Sequence, residues 1–417
     1  MRTLICMLLT LTLLTSAGRA SASGFAVNEQ STSAMSMALA VSAKPDDSST
    51  IFYNPGGLGY LDGINIYVGA ALLFPLFNYS DPEGVRPSAK NTKRFAQVPN
   101  LYISYRINDM HSVGLGFAAP FGIAVVWPDD WTGNLVIKKV DLQTIGIYPT
   151  YTFRPHKMVS IGVTPVIMVS TVTLIRGLGL ADESGNIVGD IGLGARSVGF
   201  GANVGIQVRP MDGLYLGFMY RSRIKINYSG TAEFDVPLVN SSALQDQDVS
   251  TSLTFPDRFT LGIGYDILKN LYLSLDVDYY LWSTFKSLEI KFKKPLELPT
   301  GEKSKEVIEN DWKNSWSFKL GMQYRIKEIV PIRLGIAYEL SPGPTSTLSP
   351  RLPTGSLLFI TLGSGYFHKG TGFFFDIGYL FGKWFGTEVD AQHSNFGFPQ
   401  KYNNSIHILS FNVGLHH

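Results

Sequence analysis

A chain of 417 residues with 35 basic and 33 acidic side chains has no charge excess that would mark a polyanion such as nucleic acid as a partner. With 45% hydrophobic residues, 12% aromatics, 42 glycines and 20 tyrosines, the composition fits a β-rich membrane surface better than an average cytosolic enzyme. The length admits two or three soluble domains or one large β-structure, and a single cysteine excludes a disulfide framework.

Residues 1–22 read as a signal peptide. Arg2 supplies the positive start, Leu4 to Leu14 the apolar core and Ala20-Ser21-Ala22 the small-residue cleavage site, so the mature chain is expected to begin at Ser23. Cys6 precedes the apolar core, where a lipoprotein cysteine would not lie, and leaves with the leader. No later stretch reaches the ~18 apolar residues of a membrane-spanning helix. An exported chain of this kind is either a soluble periplasmic protein or an outer-membrane barrel, and periodicity separates the two.

Residues 23–60 do not alternate. Asn28 to Ala43, rich in Ser, Ala and Met, predicts a small-residue helix stopped at Lys44-Pro45. Asp46-Asp47-Ser48-Ser49 offers a cap for a second short helix, and Asn54-Pro55-Gly56 is a turn inside an apolar frame. On physical grounds a plug and an ordinary N-terminal cap are equally compatible with this segment.

Residues 61–417 alternate apolar and polar in segments of about ten. The clearest runs Leu271, Leu273, Leu275, Val277, with Ser274, Asp276 and Asp278 between and after them. Short turns at Asn108-Asp109, Pro155-His156, Pro210-Met211-Asp212, Leu268-Lys269, Lys327-Glu328 and His368-Lys369 alternate with long polar connections near 75–97, 121–138, 177–192, 232–252, 293–314, 341–353 and 383–403. Thirteen connections predict an all-β membrane protein, an antiparallel transmembrane β-barrel of about fourteen strands with both ends on the short-turn side. A β-sandwich has no reason to sort its loops this way. Tyr105, Phe153, Tyr265, Tyr324 and Phe367 before the short turns, and Tyr215, Tyr272 and Phe373 after them, suggest an interfacial girdle. A barrel this wide leaves a lumen that its own side chains do not fill, which is what gives residues 23–60 something to plug.

Gly24-Phe25-Ala26-Val27-Asn28-Glu29-Gln30-Ser31 and Asp46-Asp47-Ser48-Ser49-Thr50-Ile51-Phe52-Tyr53-Asn54-Pro55 resemble the mature start of the FadL/TodX-type transporters of long-chain fatty acids and aromatic hydrocarbons. Gly114-Leu115-Gly116, Pro120-Phe121-Gly122, Trp127, Trp131-Thr132-Gly133, Leu261-Gly262-Ile263-Gly264-Tyr265, Trp282-Ser283-Thr284-Phe285 and Trp312-Lys313-Asn314-Ser315-Trp316 extend the likeness over the mature chain. The resemblance implies a fourteen-strand barrel closed by an N-terminal helical hatch. It also implies capture at the outer loops, an apolar pocket near the mature N-terminus with Phe25, Met35 and Met37 as candidate lining, and sideways exit at a kinked third strand. The hatch motif falls on Asn54, Pro55 and Gly56, glycine standing where the family has alanine, a change that should loosen the backbone. The exit falls on Gly114, Gly116 and Pro120, residues that weaken a strand ladder on their own account. Many such barrels end on an aromatic residue, whereas this one ends Leu415-His416-His417.

Arg221, Arg223 and Lys225 alternate with Ser222, Ile224 and Ile226, so strict alternation puts all three in the lumen, because a base facing lipid costs ~2–4 kcal/mol at mid-membrane. Arg258, Asp276 and Asp278 should join them, either as a salt-bridge ladder or with Arg221, Arg223 or Arg258 meeting a substrate carboxylate. The seven histidines form no catalytic set and show no metal-ligand spacing apart from the terminal pair, so no enzyme activity, metal or cofactor is expected. The expected function is passive transport of a hydrophobic small molecule by a monomer among outer-membrane lipid and lipopolysaccharide. The alternatives are a structural or receptor barrel with a closed lumen and, last, a barrel enzyme.

Overall fold

The computed structural model describes residues 24–44, 46–181, 187–236, 244–298 and 301–417; the leader with Cys6 lies outside them. Among the described residues the barrel strands are β1 (Ile64–Leu76), β2 (Ala96–Arg106), β3 (His111–Ala118, resuming at Gly122–Val126), β4 (Lys139–His156), β5 (Val159–Ala181), β6 (Ile187–Met211) and β7 (Leu214–Arg221 and Ile224–Asp235). Then follow β8 (Gln247–Phe255 and Arg258–Leu268), β9 (Leu271–Tyr280 and Ser287–Leu298), β10 (Gly301–Glu309 and Ser315–Ile326), β11 (Val330–Glu339), β12 (Ser356–Phe367), β13 (Phe373–Phe385) and β14 (Ser405–His416). Neighbours pair antiparallel throughout, and β14 returns to β1 from Asn65↔His416 to Leu76↔Ser405, closing a 14-strand barrel.

The alternation has its faces as a membrane barrel requires. Val68, Ile103, Leu261, Leu320, Ile360 and Phe411 point outward and are exposed, whereas Ser104, Thr152, Asn203, Asp276, Lys319 and Asn412 point inward and are buried. Apolar outside and polar inside is the inverse of a soluble core. The six short turns and both ends of the barrel lie at one rim, where Ile64 N–H donates to the His417 carbonyl at 2.7 Å. Tyr105, Tyr265, Tyr324 and Phe373 face outward there as a girdle. Tyr215 and Tyr272 do not: they turn inward and hold the Lys44 ammonium over their rings at 4.4 and 4.6 Å.

The long connections hold more strand than their polarity suggested. The β5–β6 ladder continues to Ala181↔Ile187, and the upper parts of β9 and β10 pair from Ser287↔Glu309 to Leu298↔Gly301, so the wall extends beyond the membrane as hairpins. A small sheet of Asn78–Ser80, Ala89–Lys90, Glu388–Val389 and Gln400–Tyr402 joins the first and last long connections over the mouth.

Four successive strands, β7 to β10, break at one level. Arg221 pairs with Arg258, Arg258 with Tyr280 and Tyr280 with Ser315, and each is the last or first residue before the interruption. At the β7 break Ser222 and Arg223 are spent in the turn, so Ile224, Ile226 and Tyr228 take the inward places. This corrects the expectation for the basic row. Arg221 faces the lumen and is buried, but Arg223 and Lys225 point out. Arg223 sits on the outer surface, its Nε 2.7 Å from Asp257 Oδ2, and Asp257 Oδ1 accepts the Arg223 backbone N–H at 3.0 Å. Period-2 reasoning cannot survive an inserted residue, because one extra residue exchanges the two faces.

Candidate functional site

The N-terminal segment lies inside the barrel. Its helix is shorter than the composition implied: only Thr32–Ser36 (α1) is helical, with Ser31 as N-cap. Ala38 and Leu39 then adopt left-handed backbone with φ of 50° and 66°. That turn keeps the chain against the curved wall, where a straight helix from Asn28 to Ala43 would leave it. A second helix (α2, Thr50–Tyr53) and a 3₁₀ turn (Pro55–Tyr60) complete the segment. Its bonds reach around the wall: Thr32 to Ser410 on β14, Ala38 to Thr361 on β12, Ser42 to Asp276 on β9 and Gln30 to Ala119 at the break in β3.

Paired wall glycines make the seats. Gly162 on β5 and Gly205 on β6 are register partners beneath the Asn54-Pro55-Gly56 turn. A methyl group added at Gly205 would collide with Asn54 Oδ1 and stand 2.6 Å from Pro55 Cδ, and one at Gly162 would stand 2.6 Å from the Gly56 nitrogen. Gly56 itself is pressed on the wall, since a methyl group there would lie 2.9 Å from the Ser160 carbonyl oxygen and 3.0 Å from that of Gly205. Its glycine therefore serves close approach, beyond any loosening of the turn. Asn54 Nδ2 donates to the carbonyls of Ser42 (2.8 Å) and Ile206 (3.1 Å), and Thr152 Oγ1 donates to the Pro55 carbonyl at 2.8 Å. On the far side the Gly321–Gly335 pair of β10 and β11 seats Met37 and Ala38. Met37 is buried in this seat, and Met35 is buried against Gly378 of β13.

The barrel wall is incomplete beside β3. The β2–β3 ladder runs only from Arg106↔Ser112 to Leu101↔Phe117. Above it β3 kinks inward at Ala119-Pro120-Phe121 and resumes pairing with β4 alone. Higher still, Val126 is tied to Asn91 and Thr92, so the interruption is a bounded window between the two strands. The freed backbone of the kink is satisfied from inside. Val27 N–H donates to the Pro120 carbonyl at 2.9 Å, Gly122 N–H donates to the Phe25 carbonyl at 3.0 Å, and the Gln30 amide bonds both Ala119 N–H and its carbonyl. Pro120, which cannot donate, thus lies within the window. Gly114 and Gly116 lie below it in the fully paired part of β3, where they make room for Ile51 of α2.

Behind the window Phe25 is the hub of a buried ring cluster. Its centroid lies 4.9 Å from Trp282, 5.6 Å from Phe285, 5.8 Å from Trp312, 5.9 Å from Phe255 and 6.2 Å from Phe121. Trp282, Phe285 and Trp312 were visible in sequence as aromatic motifs, but no local pattern tied them to Phe25. Trp312 also borders a shallow outer cleft lined by Pro344, Thr347 and Leu352, which brings the ring cluster close to the mouth.

Residues 13–415 match the family described as outer membrane protein transport protein (OMPP1/FadL/TodX). The chain belongs to that family. It is 24% identical over 400 residues to the long-chain fatty acid transport protein of Escherichia coli K12, covering 86% of this chain and 88% of that one. It is 25% identical over 399 residues to a putative outer membrane protein of Neisseria meningitidis serogroup B, covering 86% and 85%. Among solved structures, a FadL homologue from Pseudomonas aeruginosa superposes with a TM-score of 0.81 at 20% identity, covering 94% of this chain and all of that one. The toluene transporter TodX of Pseudomonas putida superposes with a TM-score of 0.74 at 14% identity, covering 92% and 97%. These two likenesses speak to the fold. Family membership and barrel together make this an outer-membrane protein.

The lumenal charges of this family member divide into satisfied and unsatisfied groups. Arg258 Nη2 lies 3.0 Å from Asp278, Nη1 donates to Asn28 Oδ1 at 2.8 Å and Nε to Thr260 at 3.2 Å, while Lys319 takes the other Asp278 oxygen. Arg258 is thus a strut that also holds the N-terminal segment. Breaking a buried pair of this kind by removing one partner costs about 3–5 kcal/mol. Arg221 differs. Its guanidinium lies over the Phe52 ring at 4.2 Å and donates to the Phe52 carbonyl at 3.0 Å, its Nε has no partner, and among the described residues no carboxylate lies within ion-pair distance.

Proposed function

We propose that this protein is a passive transporter of hydrophobic small molecules across the outer membrane, long-chain fatty acids or hydrocarbons, with release sideways through the window between β2 and β3. The observation that carries the reading is the interrupted β2–β3 ladder plugged by the chain's own Phe25–Val27. Unpaired backbone facing lipid is costly, so a barrel keeps such a defect only where it is covered or lines a cavity. A plug held by a few hydrogen bonds and one ring can leave, whereas a continuous ladder cannot.

In this reading residues 23–60 are a hatch that stays in its glycine seats while its first few residues move. Phe25 occupies the place of an apolar substrate among Phe121, Trp282 and Trp312. Met35, Met37, Asn54, Pro55 and Gly56 anchor the hatch, and Gly114 and Gly116 let α2 pack beneath the window. Arg221 is the lumenal base left free for a substrate carboxylate, Arg258 supports Asn28, and Arg223 has no lumenal part. Sideways release suits the cargo, since an apolar molecule is stabilised by about 25 cal/mol for each Å² it keeps from water. The gradient into the membrane then suffices without an energy source or catalytic chemistry, and a monomer among lipid and lipopolysaccharide has all the parts.

The test is entry of labelled oleate and labelled toluene into cells that carry or lack the protein, with uptake metabolism blocked. Faster entry of at least one compound with the protein is expected. Equal entry of both would overturn the reading.

A further inference from the structure

Away from the window, the outer face of β6 to β8 changes character abruptly towards the long-connection end. On β6 the outward apolar row ends with Phe200 and Val198, 70% and 45% exposed, and the next outward residue is Arg196. On β7 and β8 the row ends with the outward rings of Tyr220 and Phe259, 5.0 Å apart, and Lys225 follows just beyond the Ser222-Arg223 turn. Outward aromatic rings bound the lipid band of a barrel, so these bases stand at headgroup height. The outward side chains around them are uncharged hydrogen-bonding groups. Thr171 pairs with Arg196, Thr254 with Lys225, Ser252 with Asn227 and Ser250 with Ser229. Among the described outward residues of β5 to β8 between the rings and Ser229, the one acid is Asp257, and it is taken by Arg223 Nε at 2.7 Å and the Tyr220 hydroxyl at 2.8 Å. Asp248, the next acid above, is tied to Lys293 at 2.7 Å. Arg196 and Lys225 are exposed and have no partner among the described residues. Ala195 pairs with Gly230, which puts Arg196 beside Ser229, four residues along β7 from Lys225. The two free bases therefore stand about 13 Å apart on the wall.

We propose that this face binds a glycolipid whose headgroup carries a phosphate at each end of a sugar disaccharide, the lipid anchor of lipopolysaccharide in the outer leaflet, with Arg196 and Lys225 each taking one phosphate. Two bases set apart by strands bearing hydroxyl and amide groups are the complement of two phosphates set apart by sugar. The Arg196 guanidinium can meet its phosphate with two parallel hydrogen bonds, and the Lys225 ammonium meets the other as a point charge. Their stems lie along the apolar wall while their heads reach headgroup level, and Val198 and Phe200 offer the acyl chains a surface directly below. Any basic side chain gains something at an anionic membrane surface in any orientation. What distinguishes this face is the fixed spacing of two uncompensated bases across a stretch without a free acid. A phospholipid with a single phosphate satisfies only one of them. The site does not depend on what passes through the lumen, so it stands apart from the transport reading.

The experiment titrates the full mature protein in non-ionic detergent with purified lipid A carrying two phosphates, and with its one-phosphate form, counting bound lipid by native mass spectrometry. The proteins are the wild type, Arg196→Gln/Lys225→Gln and, as a control that removes the same charge at the opposite rim, Lys157→Gln/Lys327→Gln. Folding is checked by the shift in gel mobility on heating. Exposed ion pairs are worth about fivefold each at most, so the Arg196/Lys225 double variant should bind the two-phosphate lipid about 10- to 25-fold more weakly, with the rim control unchanged. The wild type should prefer two phosphates to one by about fivefold, and the Arg196/Lys225 variant should lose that preference. Wild-type affinity in the folded Arg196/Lys225 variant overturns the proposal, as does an equal loss in the rim control, which would mark attraction by net charge alone. Phosphatidylglycerol and inorganic phosphate serve as competitors. Displacement of lipid A by either at equal concentration would also overturn it, the first showing a general preference for anionic lipid and the second a site for free anion.

Discussion

Replacing Gly205 by valine should unseat the hatch while leaving the barrel. Gly205 is flanked by Gly162 on β5 and Met219 on β7, both outside the hatch, so the wall ladder does not depend on its side chain. The added carbons would occupy the space of Asn54 Oδ1 and Pro55 Cδ. Moving the turn away breaks the two Asn54 bonds to Ser42 and Ile206 and the Thr152 bond to Pro55. Three hydrogen bonds at about 1 kcal/mol each, with about 2 kcal/mol of overpacking, give ~5 kcal/mol against the seated state. The penalty falls on the hatch and not on the barrel ladder, and a segment can open locally without global unfolding. Single-channel conductance in planar bilayers is the assay. Gly205→Val should show ion conductance that the wild type lacks, with normal heat-dependent gel mobility. Gly194→Val, at a wall glycine with open space around it, is the control and should behave as wild type. Folded Gly205→Val with wild-type conductance would refute the idea that glycine seats hold the hatch.

Phe25→Ala empties the hub of the ring cluster, and a buried Phe→Ala change costs about 3–5 kcal/mol. Hydrogen exchange at Val27 and Gly122, whose N–H groups close the window, should rise by at least tenfold while exchange along β11 and β12 stays unchanged. Burial, with Glu339 nearby, raises the Glu29 pKa from 4.5 to about 7. The seated state then binds more protons than the released state between those values, so its stability is full below pH ~4.5 and is lost as pH rises through 7. Proteolysis of the N-terminal segment should therefore increase from pH 5 to 8 in the wild type and lose that dependence in Glu29→Gln. Arg221→Met should lower oleate uptake without lowering toluene uptake, and Arg223→Met, altering an exposed outer side chain, should change neither.

The sequence carried the architecture because a lipid-facing strand must alternate, and loops on the two rims are built to different lengths. Leu271 to Tyr280 shows this: its inward Ser274, Asp276 and Asp278 were legible from period alone. Legibility ended where the period was broken. The two-residue turn at Ser222-Arg223 reversed the faces above it, and nothing in the local spelling of β7 marks it; the clue was Pro256-Asp257 on the neighbouring strand, which breaks at the same level. The hatch helix was overestimated because small residues that favour helix also suit a chain lying flat on a wall. Gly162, Gly205, Gly321 and Gly335 were readable as strand glycines, but that they pair across strands is a property of register, which the closed barrel supplies. Likewise, Pro120 was readable as a ladder fault, whereas Phe25–Val27 as its cover depends on contacts about 95 residues apart.

The window and its cover can be tested in one molecule. Ala26 and Phe121 are bridge partners flanked by the hydrogen bonds Val27 N–H to Pro120 and Gly122 N–H to Phe25, the narrow kind of antiparallel pair, with Cα atoms about 4.5 Å apart. That separation accepts a disulfide, and the chain's single cysteine, Cys6, lies in the segment expected to be removed as leader. The measurement is the rate of oleate and toluene entry into cells carrying Ala26→Cys/Phe121→Cys, before and after reduction. Entry above the protein-free background should be absent when the bond is closed and return when it is reduced. Equal, rapid entry in both states would contradict release through this window.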